Sequence, residues 1–163
     1  MSPLSKKDAF CSRQQLEATK LHRLNAMFAE VLPANSFYRE KFSGCTTPVQ
    51  SLEQLTDFPC TEKSELVGGE NTFSARNRTW CDQKYVRFHQ TSGTSGHPLQ
   101  VWDTEDDWNW WMACWKSIYS RAELQPGEPV FIAASFGPYI GFWSAFEGAV
   151  ASGGRAIPSG GLS

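Results

Sequence analysis

A short run of hydroxyl-bearing and glycine residues is the part of the chain best suited to chemistry. It comprises Thr91, Ser92, Gly93, Thr94, Ser95 and Gly96, and His97 follows it. Glycine permits positive φ and close approach to a ligand, so successive backbone N–H groups can point into one concavity. The hydroxyls add donors that can rotate toward phosphate oxygens. The composition therefore suits a polyphosphate site, and equally suits a flexible hairpin turn, since Ser, Thr and Gly are common turn residues.

Other phosphate and nucleophile motifs do not fit this run. A Walker A loop needs Gly-Lys-Ser/Thr at the start of a helix, whereas Gly96 is followed by His97-Pro98. The chain contains neither the GxGxxG pattern nor the GxSxG nucleophile elbow.

The elements that must position this run are predicted to alternate between strands and helices. Thr104 begins a helix, and Asp107 completes a capping box with it. The predicted strands lie at 85–89, 99–102, 130–134 and from 155, and the predicted helices start at 104 and at 141. This alternation predicts an α/β fold with a mostly parallel sheet.

The first half of the chain has a different composition. Residues 1–82 contain three of the 13 glycines and 83–163 contain the other ten. Helical spacing of apolar residues predicts a helix at about 10–32, stopped by Pro33. We therefore predict two parts, an N-terminal helical segment (1–82) and an incomplete α/β nucleotide-binding subdomain (83–163).

Composition excludes several classes of protein. Fifteen Lys and Arg balance 17 Asp and Glu without a basic cluster, which argues against a nucleic-acid partner. No apolar run is long enough to span a membrane, and the N-terminus lacks the pattern of a signal peptide. Five cysteines without a CxxC pair fit reduced thiols, so we expect a cytoplasmic protein with no metal bound by its own side chains.

Three aromatic or histidine positions allow two interpretations each. His89 can contact a ligand beside the run or be a structural strand residue. Phe136 and Tyr139 can line a pocket or fill the core. The tryptophans of the helix that starts at Thr104 recur at helical spacing, which favours core packing over a stacking platform.

Five segments, in the same order, resemble the phenylacetate–CoA ligase branch of the adenylate-forming enzymes. The third is similar to that branch's R-x-H-x-S-S-G-T-T-G signature and the last to its I-P-x-G-G turn. The segments are Phe37–Phe42 (FYREKF), Phe58–Leu66 (FPCTEKSEL), Arg87–Gly96 (RFHQTSGTSG), Ser135–Gly141 (SFGPYIG) and Ile157–Gly161 (IPSGG).

The resemblance implies an enzyme that activates a carboxylic acid, aryl acids being the family's usual substrates, through an acyl-adenylate. It implies ATP, Mg²⁺ and CoA as cofactors and a homodimer as the assembly. It places phosphate binding at Thr91, Ser92, Gly93, Thr94, Ser95, Gly96 and His97, and acid binding at Phe136, Tyr139 and Gly141. His97 stands where a Lys is common, so the fixed charge is missing and His97 would be mostly neutral at pH 7.

The resemblance also places the catalytic lysine and the adenine- and ribose-binding segments after the I-P-x-G-G turn, so no catalytic residue is assigned here. The chain ends at Ser163, far short of the family's length, and we expect it to be a truncated product or partial sequence that is inactive alone. A non-catalytic remnant or interaction module with a vestigial phosphate loop is the alternative.

Overall fold

The computed structural model describes residues 12–67, 75–91, 98–134, 137 and 139–160. Two compact units divide the chain between Cys81 and Asp82. Among the helices described, none is long and apolar enough to cross a membrane. Four cysteines in the described ranges are unpaired: Cys45, Cys60, Cys81 and Cys114.

The first unit is built from helices. Its helices are α1 (Arg13–Ala34), α2 (Ser36–Lys41), a 3-10 helix (Leu52–Asp57) and α3 (Lys63–Leu66). Ser12 caps α1 in a capping box with Gln15. The prediction that Pro33 stops α1 is wrong, because a proline in the last turn removes one hydrogen bond without preventing one more helical residue.

Aromatic rings form the centre of the first unit. Phe28 of α1 stacks on Phe58 with ring centroids 5.3 Å apart, and Phe42 meets both rings edge-on. The buried Asn35 caps α2 by accepting from the N–H of Tyr38, and its amide donates to the carbonyl oxygens of Arg76 and Arg78. One side chain thus starts a helix and holds a later segment in place.

The second unit alternates strands and helices, and its α/β class agrees with the prediction. Its elements are β1 (Tyr85–Gln90), β2 (Gln100–Thr104), α4 (Glu105–Arg121), β3 (Pro129–Ile132), α5 (Ile140–Ala151) and β4 (Arg155–Pro158). The predicted capping box at Thr104 and Asp107 is present at the start of α4.

The described strands form two small sheets. β1 and β2 pair as an antiparallel hairpin, with Gln90 opposite Gln100. β3 and β4 pair in parallel, with Phe131 opposite Ile157 and α5 as their crossover. The two arrangements follow from the connections, since a short loop can join antiparallel neighbours but parallel strands need a longer crossover.

The tryptophan-rich helix α4 packs against α5 along only part of the predicted face. Trp108 is buried, Trp115 donates to Ser144 Oγ (3.0 Å) and Tyr119 donates to the Ala145 carbonyl (3.0 Å). Trp111 is exposed, so its predicted core position is wrong, and Ile118 is exposed as well. α5 covers only one side of the apolar face of α4.

Candidate functional site

The hairpin of β1 and β2 is closed at the point where the hydroxyl-rich run begins. The Thr91 N–H donates to the Leu99 carbonyl at 3.0 Å, and the Leu99 N–H donates to Thr91 Oγ1 at 2.9 Å. Thr91 and Leu99 therefore extend the Gln90–Gln100 pairing by one step. The ends of the intervening segment are fixed relative to each other by these two bonds.

Thr91 is the one member of the predicted phosphate-binding set within the described residues. Its N–H and its hydroxyl oxygen are both used inside the hairpin. Its hydroxyl hydrogen is the donor that it can still offer to a ligand. The other six predicted residues, Ser92, Gly93, Thr94, Ser95, Gly96 and His97, lie outside the described residues.

One face of the hairpin carries a buried polar pair. Residues alternate sides along a strand, and the register puts His89 opposite Val101 and Arg87 opposite Asp103, so all four share one face. His89 and Asp103 are each 5% exposed. A buried histidine beside a buried carboxylate is unusual enough to need a partner or a role.

The two buried side chains face each other through atoms that have no hydrogen-bond partner. His89 Nδ1 lies 3.4 Å from Asp103 Oδ2, and neither atom has a hydrogen bond of good geometry. Burial raises the pKa of the Asp103 carboxyl, while the His89 imidazole next to it acts in the opposite direction. The nearby carboxylate of Asp107 also raises this pKa.

An ionic and aromatic network covers the pair and links three elements. The imidazole of His89 stacks on the Trp108 ring, with centroids 5.5 Å apart and planes 13° from parallel. The Arg87 guanidinium lies 4.9 Å from the same ring's centroid and 3.1 Å from Glu147 of α5. Trp108 Nε1 donates to Glu147 at 2.7 Å. The network therefore ties β1, α4 and α5 together beside the hairpin.

The second predicted region lies at the start of α5. The rings of Tyr139 and Phe142 meet edge-on with centroids 5.1 Å apart, and Tyr139 is 49% exposed. A Cβ built on Gly141 would lie 2.5 Å from Tyr139 Cε1, so the absence of a side chain lets the ring lie against the helix. Tyr139 and Gly141, two of the three residues assigned to acid binding from the sequence, are therefore neighbours. The third, Phe136, lies outside the described residues.

Ser159 joins this region to the end of β4. Its N–H donates to the Ile132 carbonyl at 3.2 Å and its hydroxyl to the Ala134 carbonyl at 2.7 Å. The segment after β3 and the I-P-x-G-G-like turn are therefore neighbours at the carboxyl ends of two parallel strands. In α/β folds ligands bind at such an edge.

The sequence did not predict that Asp103, Glu147 and Arg87 belong to the site. Asp103 could have been identified from the sequence, because it is a charged residue between the predicted strand at 99–102 and the predicted helix that starts at 104. Within the described ranges, no three His, Cys, Asp or Glu residues are grouped so that they could hold a metal ion.

Curated proteins with similar sequences are phenylacetate–coenzyme A ligases, and no family model matches the chain. The chain is 28% identical over 155 residues to the ligase of Escherichia coli K12, and 28% over 149 residues to that of Pseudomonas putida. The match covers 92% and 90% of this chain but 34% and 33% of the relatives. The chain therefore spans about a third of the length of these relatives.

Solved structures of 2-hydroxyisobutyryl-CoA ligase share the fold. The form in complex with 2-HIB-AMP and CoA matches with a TM-score of 0.84 at 25% identity, over 93% of this chain and 33% of that one. The form in the postadenylation state with 2-HIB-AMP matches with a TM-score of 0.81 at 24% identity. The described architecture is thus similar to that of the N-terminal domain of these adenylate-forming ligases.

Proposed function

Because the chain is homologous to phenylacetate–CoA ligases along nine-tenths of its length, we propose that it forms the N-terminal part of an ATP-dependent acid–CoA ligase. The substrate is a carboxylic acid, with an aryl acid of the phenylacetate type favoured. The reaction passes through an acyl-adenylate, and CoA then accepts the acyl group. The share of this chain that the relatives match is what supports the assignment.

The chemistry requires two anions to approach each other. The substrate carboxylate attacks the α-phosphorus of ATP and forms a new P–O bond, while the bond to pyrophosphate breaks and pyrophosphate leaves. The protein's contribution to such a transfer is positioning and electrostatic stabilisation. Backbone N–H groups and hydroxyls of the segment 92–97, together with the Thr91 hydroxyl, are the donors that we assign to the β- and γ-phosphates.

The closed hairpin stem is the observation that best supports this role. Thr91 and Leu99 fix both ends of the hydroxyl-rich segment through two hydrogen bonds of 3.0 and 2.9 Å. A loop whose ends are fixed loses less conformational freedom when a ligand orders it. Mg²⁺ often binds through substrate phosphates with one or two protein oxygens, so we propose that it arrives with the nucleotide.

The experiment measures MgATP affinity of the chain by titration calorimetry. Gly93→Val and Gly96→Val should each weaken binding because the side chain restricts the backbone, and Thr94→Ala should weaken it by loss of one donor. Gly44→Val is the matched control, since a Cβ there meets no atom within 4 Å. Equal affinity in all three loop variants and the control would contradict the assignment.

We propose that the acid binds to an aromatic surface that includes Tyr139. Tyr139 is exposed and packs edge-on against Phe142, and Gly141 leaves room for its ring. Phe136 is assigned to the same surface from the sequence. An aryl acid could pack against these rings, as aromatic pairs favour edge-to-face and offset geometries. Tyr139→Ala should weaken phenylacetate binding in ligand-observed NMR, and unchanged binding would place the acid elsewhere.

A further inference from the structure

The pair formed by His89 and Asp103 has no explanation in the proposed nucleotide contacts. Counted without their backbone atoms, both side chains are still more than nine-tenths buried, at 6% and 8% exposure, and their facing atoms lack partners. Two acceptors at 3.4 Å would repel each other, whereas one proton between them gives a hydrogen bond. Leaving either atom orphaned is costly in a buried site.

The surroundings of the pair hold the imidazole in one plane. Trp108 stacks on it from α4, and Arg87 on β1 lies over the same indole. Glu147 of α5 pairs with Arg87, and Asp107 of α4 acts on Asp103. The stacking restrains the plane of the ring, and in that plane Nδ1 faces the Asp103 carboxylate at 3.4 Å.

We propose that Asp103 orients His89 through a proton held on Nδ1 and donated to Oδ2, and that this positioning pair fixes the end of β1 from which the phosphate-binding segment departs. The partner of one ring nitrogen sets which tautomer a histidine adopts. His89 is two residues from Thr91, whose bonds to Leu99 close the hairpin. This role rests on the proposed function, because its expected effect is a change in MgATP affinity.

The first test reads the tautomer directly. Long-range ¹H–¹⁵N NMR of the chain labelled at histidine should show His89 with a protonated Nδ1 at neutral pH, and His89→Gln assigns the signal. In Asp103→Asn the amide can donate to Nδ1, so the proton should move to Nε2. Asp106→Asn is the matched control, since Asp106 is an exposed carboxylate three residues further on, in the first turn of α4. An unprotonated Nδ1 in the unaltered chain overturns the proposal, even if Asp103→Asn does not fold.

The second test measures MgATP affinity of the same proteins. Partners that orient metal-ligating histidines typically contribute about tenfold or more to metal affinity, and we take the same scale for a pair that positions a ligand-binding segment. Asp103→Asn should therefore bind about tenfold more weakly, and Asp106→Asn should match the unaltered chain. A changed tautomer with unchanged affinity overturns the positioning role. Absence of MgATP binding by the unaltered chain would instead contradict the proposed assignment of residues 91–97 to the phosphates, while the NMR result would still decide whether the pair shares a proton.

Discussion

At the scale of single residues, the hydroxyl of Thr91 has a structural task beside its assigned chemical one. Its oxygen accepts from the part-buried N–H of Leu99, and its own N–H donates to the Leu99 carbonyl. Thr91→Val keeps the side-chain shape but leaves the Leu99 N–H without an acceptor. Leaving such a donor unsatisfied costs about 1–3 kcal/mol, so we expect that loss in urea unfolding. Thr91→Ser keeps the acceptor and should lose much less, and equal losses would mean that the bond does not matter.

Glu65 gives the first unit a pH-dependent contribution to stability. Its carboxylate accepts from the Glu62 N–H (2.7 Å) and from Lys41 Nζ (2.5 and 2.7 Å), and these contacts lower the pKa of Glu65. A carboxyl with a lowered folded-state pKa contributes stability above its unfolded-state pKa and loses it as the pH falls through the folded-state value. We expect Glu65→Gln to be less stable than the unaltered chain at pH 7.

The difference in unfolding free energy between Glu65→Gln and the unaltered chain should shrink toward acidic pH, because the protonated Glu65 resembles Gln. Urea unfolding at a series of pH values measures it, with Glu40→Gln as the control on an exposed carboxyl of the same unit. A difference that stayed constant with pH would show that packing, and not charge, is what the substitution removes.

At the scale of elements, the contact between α4 and α5 depends on a glycine. A Cβ on Gly148 would lie 2.4 Å from Trp115 Cβ and 2.7 Å from its Cγ. These atoms are at the root of the side chain and cannot move without the helix. Gly148→Ala should therefore destabilise the second unit by about 1–3 kcal/mol through overpacking, although alanine favours a helix.

Gly141→Ala is the comparison for this prediction. It also stands in α5, but its added Cβ would meet the ring of the exposed Tyr139, which can swing outward. Thermal unfolding of both variants separates the two cases. We expect Gly141→Ala to be as stable as the unaltered chain or more so, and a similar loss in both would show that helix packing is not specific at Gly148.

Much of the element level could be predicted from local sequence, and the polar pair could not. The Thr104 capping box and the strand and helix order depend on neighbours within a few positions, so they were predictable. The contact of His89 with Asp103 depends on the register of two strands and on a helix that covers them. Trp111 was predicted to be buried and is exposed, because helical spacing identifies the apolar face of α4 but not how much of that face α5 covers.

At the scale of the whole molecule, the β3–β4 sheet presents apolar side chains to solvent. Phe131 and Ile157 are opposite each other in the ladder and are 57% and 38% exposed. Exposed apolar residues on a two-stranded sheet favour association with further chain or with other molecules. The relatives are about three times as long as the matched region, so they have further chain with which to cover the equivalent surface.

We predict that these 163 residues, as a separate polypeptide, bind nucleotide without ligating an acid to CoA. The family resemblance places the adenine and ribose contacts and the catalytic lysine beyond the matched third. Without them the α-phosphorus and the carboxylate are not held in line, and such positioning contributes on the order of 7–11 kcal/mol. We expect no hydroxamate or phenylacetyl-CoA above background. Fusion to the remaining two-thirds of the Escherichia coli ligase is the control and should restore both. Product from the 163 residues alone would contradict the prediction, whereas nucleotide binding with an inactive fusion would favour a non-catalytic interaction module.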